Sequence, residues 1–101
     1  MKVIYTVFPS LETAQEICRV LVAKRLVSCA NIIPCVNSIY WWDDSVCENQ
    51  EVIALLKTCL SNEEMVYQEL SALHPYDCPA LFSVTPDRVY PDFLKWVNTW
   101  N

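Results

Sequence analysis

The chain has 101 residues, is 53% hydrophobic and carries a formal net charge of −5. Seven Lys and Arg scattered among twelve Asp and Glu leave no basic run, which excludes a nucleic-acid binder that works by neutralising phosphates. Glycine is absent. That excludes the Gly-rich phosphate loops of nucleotide sites and leaves Asn and Asp to take the left-handed turn positions.

The length fits a single domain spanning residues 1–101. A domain of this size has a modest core, so part of its apolar surface is expected to lie outside one protomer, with oligomerisation as the outlet. The start, "MKVIYTVFPS", has one basic residue and a short apolar run stopped by Pro9. It lacks the pattern of a secretory signal. No apolar stretch reaches the length of a membrane span. The expected compartment is therefore the cytoplasm, where the six cysteines stay reduced. No C-x-x-C pair suggests a zinc knuckle or a thioredoxin-like motif.

Lys2–Phe8 is β-branched and aromatic and predicts a strand. Ser10 suits the N-cap of a helix with Glu12 in its first turn. Ala14, Ile17, Cys18 and Leu21 form its apolar stripe, and the helix is expected to reach about Leu26. Val27–Trp42 is a long apolar strand interrupted by Pro34, which predicts a kink or bulge. Asp43–Ser45 predicts the turn into a second long strand, Val46–Leu60. The two make a hairpin longer than one small sheet needs, and the excess is expected to project and pair elsewhere. Ser61–Glu64 has capping-box spacing, and Val66, Leu70 and Leu73 mark the stripe of a second helix. In "LHPYDCP", Pro75 pushes the only histidine, His74, out of helical geometry. Ala80–Val84 is a fourth strand. Pro91 opens a final helix, with Phe93, Trp96, Val97 and Trp100 at helical spacing. The order β-α-β-β-α-β plus a C-terminal helix predicts an α+β fold, a ferredoxin-like split β-α-β with four antiparallel strands and both helices on one face.

Several stretches together resemble the CutA family of divalent-cation (copper) tolerance proteins. "SCANIIPCV" is similar to its L-A-A-C-x-N-I-x-P segment, matching at Cys29, Asn31 and Pro34. "SIYWWDD" resembles S-x-Y-x-W-x-G, with Asp44 at the family glycine. "EVIALLKT" resembles E-x-x-L-x-x-K-T, "HPYDCPAL" resembles H-P-Y-E-x-P-E-I, and "FLKWV" resembles Y-L-x-W-L. The resemblance implies a homotrimer with the long hairpins pairing between subunits, no enzymatic activity and a role in the response to metal ions. It also implies binding of copper or a similar divalent cation through the motif histidine and cysteine, His74 and Cys29, and an acid. Ala80 replaces the family acid, and Asp77 is the carboxylate left nearby.

Three site readings follow. Imidazole and thiolate suit copper, which favours His74 with Cys29 and with Asp77 or Cys78. A Cys–His nucleophile is the catalytic alternative, but no orienting Asn or Asp and no oxyanion-hole glycine accompany it. The third reading is a PII-like signalling or small-molecule scaffold. Its inter-subunit cleft would be lined from among Tyr40, Trp41, Trp42 and Tyr76, with Trp41 and Trp42 on opposite faces of their strand, Lys57 as polar group, and an unidentified protein or metabolite as partner. Lys57 is alternatively a mate for Glu51 across a subunit boundary.

Overall fold

The alternation of Lys2–Phe8 places Ile4, Thr6 and Phe8 on one side of a strand, and all three are fully buried. The computed structural model describes residues Met1–Asn101 and builds outward from this strand, β1. It is followed by α1 (Leu11–Ala23), β2 (Cys29–Trp42), β3 (Ser45–Thr58), α2 (Glu63–Leu73), β4 (Leu81–Val84) and α3 (Pro91–Thr99). The sheet runs β2-β3-β1-β4 and every neighbouring pair is antiparallel. This is the split β-α-β arrangement expected from the element order.

The core lies between one face of the sheet and the two inner helices. Ile4, Phe8, Val52, Ala54 and Leu56 meet Ala14, Ile17, Cys18 and Leu21 of α1 and Val66 and Leu70 of α2. Leu73, expected in the α2 stripe, is 39% exposed and lies outside the buried core. It is the last residue of the helix.

Ser10 caps α1, its side chain accepting from the Thr13 amide at 3.1 Å. Ser10→Ala is expected to lower stability by about 1 kcal/mol, read as a shift in urea midpoint. The helix ends at Ala23, short of the expected Leu26. Arg25 turns into the left-handed region (φ 59°). The Leu26 amide then bonds back to the Leu21 carbonyl and the Arg25 amide to the Val22 carbonyl. This is a Schellman ending, with buried Leu21 and Leu26 as its apolar contact. The usual glycine is replaced by an arginine held at both ends. Its Nη2 donates to the Thr99 carbonyl at 3.0 Å, and its own carbonyl accepts from Asn62 Nδ2. The capping box at Ser61 does not form: Leu60–Asn62 is a 3₁₀ turn and the Ser61 hydroxyl meets the Cys59 thiol.

Between Ile33 and Val36 the β2–β3 register slips, so Pro34 and Cys35 oppose Val52 alone. Cys35 takes φ 59° there, the bulge that Pro34 predicted. Asp43 and Asp44, both at positive φ, make the two-residue turn, and Ser45 already belongs to β3. Positive φ thus falls to Arg25, Cys35 and two Asp, and to no Asn. β1 covers β3 only from Val52 to Thr58. The rest of the hairpin projects, stretching the molecule to 45 Å against 26 and 22 Å.

Candidate functional site

The corner after α2 carries the residues on which the site readings turn. Pro75 cannot donate an amide and disfavours helix at the residue before it, so His74 leaves α2 in extended geometry (φ −67°, ψ 133°). Its ring folds back under β1 and stacks on Phe8, with centroids 4.7 Å apart. His74 Nε2 lies 2.8 Å from the Val7 carbonyl, and the Tyr76 amide donates to Nδ1 at 3.1 Å. The donated amide assigns the tautomer: Nδ1 accepts and Nε2–H donates. Burial holds the imidazole below its ordinary pKa, partly offset by the bond to Val7. The ring is neutral, buried and engaged at both nitrogens.

Tyr76 completes the corner. Its hydroxyl donates to Glu51 Oε2 at 2.6 Å, tying the corner to the projecting hairpin. Burial, then the bond to Glu51 and its charge, then Tyr40, raise the phenol above its usual range. Tyr76 is therefore a hydrogen-bond donor, with no base character. Glu51 had no local signal as its partner, since the two are 25 positions apart.

The register separates the expected metal ligands. Cys29 pairs with Lys57, and Lys57 with Val3, whereas His74 sits against Val7. Four positions along β1 amount to about 13 Å, and β3 lies between β1 and β2 besides. Asp77 and Cys78 are exposed on the corner, away from Cys29. No group of three or more His, Cys, Asp or Glu in the protomer is placed to hold a metal ion. The Cys29–His74 pair is not assembled within one chain.

The cleft residues divide likewise. Beyond the bulge, Val36, Ser38, Tyr40 and Trp42 alternate onto the face that holds Cys47 and Glu51, so Tyr40, Trp42, Glu51 and Tyr76 gather at one side of the hairpin. Within one protomer Lys57 lies six positions from Glu51 on the same strand, about 20 Å away, and bonds to the Asn31 side chain. Cys18 lies in the core, where burial pushes its thiol up to about 11. It is a packed thiol, without the thiolate character that a nucleophile or ligand requires.

Residues 2–100 match the family model described as CutA1 divalent ion tolerance protein. The chain is 38% identical over 97 residues to the divalent-cation tolerance protein CutA of Pyrococcus horikoshii, covering 96% of this chain and 94% of that one. To its namesake from Thermotoga maritima it is 37% identical, covering 97% and 96%. Its backbone superposes on the crystal structure of CutA1 from Ehrlichia chaffeensis with a TM-score of 0.94 at 34% identity, over 97% of this chain and 92% of the other. Matched over nearly its whole length by that family model and by these relatives, the chain belongs to the CutA1 family of divalent-ion tolerance proteins.

Proposed function

We propose that the chain serves in divalent-cation tolerance as a homotrimer, without catalysis, and binds copper or a similar ion at sites completed between protomers. The observation that carries the assembly is the sheet face turned away from the helices. Val3, Tyr5, Ile33, Ile53, Leu55, Phe82 and Val84 share it, and Ile33, Phe82 and Val84 are about half exposed. An apolar area of this kind marks an interaction surface. Cys29 lies half-buried on the same face and offers a soft thiolate to copper. His74 can join only by giving up its bond to the Val7 carbonyl or to the Tyr76 amide, and Asp77 only from a neighbouring protomer. The proposed compartment is the cytoplasm, which the six unpaired thiols support.

Anaerobic Cu(I) titration against a competing chelator tests the ligand set. Cys29→Ser is expected to weaken binding by about tenfold or more, roughly 1.4 kcal/mol, and Asp77→Asn by less. His74→Ala is expected to leave affinity nearly unchanged, because the ring's nitrogens are spent on backbone. An unaltered affinity in Cys29→Ser removes copper from the proposal.

A second reading has its own observation. Tyr40, Trp42 and Tyr76 around Glu51 make an aromatic wall with one carboxylate, as a small-molecule cleft at a subunit boundary requires. It fits a PII-like signalling scaffold with no physiological metal. A thermal-shift screen of metabolites separates the two: a stabilising ligand lost in Glu51→Gln supports the cleft.

A further inference from the structure

The end of α1 carries a guanidinium that no carboxylate meets. Arg25 stands at φ 59°, a left-handed conformation that costs a residue with a Cβ and that glycine takes freely. Such conformations persist where surrounding contacts over-determine them, and they gather at functional sites. Two bonds hold this one: the Arg25 side chain donates to the Thr99 carbonyl, and the Arg25 carbonyl accepts from Asn62 Nδ2. The protomer has a single ion pair, Lys24 with Glu69. In a chain with twelve acids and seven bases, Arg25 thus keeps its charge unpaired.

That charge stands at a cleft. About 350 Å³ opens between the end of α1 and α3, lined by Val22, Arg25, Val27, Ser28, Trp96 and Trp100. Ligand pockets run from roughly 300 to 1,000 Å³, and a cavity of about 150 Å³ takes one benzene ring, so this cleft admits one or two rings. Val22 and Val27 supply aliphatic surface. Trp96 and Trp100 stand one helical turn apart and are 42% and 51% exposed. Phe93 stacks on Trp96 with centroids 5.9 Å apart, and the Arg25 guanidinium lies over Trp100, 5.5 Å from its centroid. These contacts orient both indoles. Arg25 is the only charged residue of the lining. Guanidinium has five N–H donors in a fork suited to carboxylates, and the bond to Thr99 leaves the others open.

We propose that the α1–α3 cleft binds a small planar aromatic carboxylate, its ring against the indoles of Trp96 and Trp100 and its carboxylate on Arg25. The walls select the ring, since aromatic faces gain from offset or edge contact with a flat π-system beyond the area they bury. The cation selects the charge, since a charge-assisted bond to a carboxylate is stronger than one to a neutral acceptor. None of the lining residues belongs to the sheet face proposed for assembly or to the group of Tyr40, Trp42 and Tyr76 around Glu51. The site is independent of both readings above.

Titration of the full chain with 2-naphthoate, followed through the indole N–H signals by nitrogen-15 NMR, tests the site. The chain has four Trp. Two line the cleft, while Trp41 and Trp42 on the hairpin serve as internal controls. The Trp96 and Trp100 signals, assigned through Trp96→Phe and Trp100→Phe, are expected to shift saturably with a Kd of about 0.1–1 mM. Those of Trp41 and Trp42 are expected to stay in place. The uncharged 2-naphthamide is expected to bind about tenfold more weakly, and so is 2-naphthoate to Arg25→Gly. Glycine is at ease at φ 59°, so that variant keeps its fold, checked by circular dichroism, and the amide decides the matter on the unaltered chain. Equal affinity for acid and amide, or an unchanged affinity in folded Arg25→Gly, overturns the proposal. So do shifts confined to Trp41 and Trp42, or no saturable shift up to about 10 mM, ten times the weakest constant expected.

Discussion

Replacing Phe8 by alanine is expected to cost about 3–5 kcal/mol, a large share of the roughly 5–15 kcal/mol that holds a domain of this size. Phe8 is fully buried at the end of β1 and touches the core on one side and the His74 ring on the other. Its loss opens a cavity that the ends of β1 and α2 cannot close, because both are pinned by the bonds through His74. Urea denaturation measures it as a fall in midpoint with little change in slope. A double-mutant cycle with His74→Ala is expected to return a coupling of about 0.5–1.5 kcal/mol for the stacked pair. Strict additivity would show that the stack contributes nothing beyond burial.

His74→Ala is expected to cost about 2–4 kcal/mol by itself, since it strips partners from the Val7 carbonyl and the Tyr76 amide and leaves a void on Phe8. The same residue sets a pH dependence. Its folded pKa is depressed below the ordinary imidazole value of 6.5, so at mildly acid pH the unfolded chain binds more protons than the folded one. Stability therefore rises with pH in that window. The contribution is fully present above about 6.5 and is lost as the pH falls below it. Urea midpoints of the wild type are expected to decline from that pH downward, before the carboxylates titrate. The His74→Ala midpoints are expected to stay flat over that interval. Identical profiles for the two chains would show that the imidazole is not held neutral by its surroundings.

These two effects explain why "LHPYDCP" is a corner first. Pro75 ends α2, His74 locks the corner to β1, and Tyr76 locks it to β3. The bond to Glu51 fixes Tyr76 beside the aromatic side of the hairpin.

Much of the fold was legible from short-range patterns. β1 and the start of α3 stand at the expected residues, and the buried faces of α1 follow its spacing. Side-chain alternation and helical spacing are local consequences of backbone geometry, so they survive in the linear order. The bulge at Pro34 was legible because a missing amide cannot be hidden inside a ladder. The C-terminal end of α1 and the cap of α2 were not. Arg25 accepts a left-handed conformation because Thr99, Trp100 and Asn62, distant in the chain, hold it, and local propensity contains no term for such partners.

The candidate site divides the same way. By itself the sequence determined the family pattern, the β-α-β-β-α-β order, the helix stop before Pro75 and a hairpin too long for its own sheet. These depend on residue type and spacing alone. Only the tertiary structure decided that His74 spends both nitrogens on backbone, that Glu51 holds Tyr76, and that Cys29 lies strands away. The physical reason is register. The Val7 carbonyl reaches His74 across 67 positions, and which atoms meet at that range depends on how β1 slides against β3. A single slip would turn Phe8 outward and remove the floor on which the histidine rests.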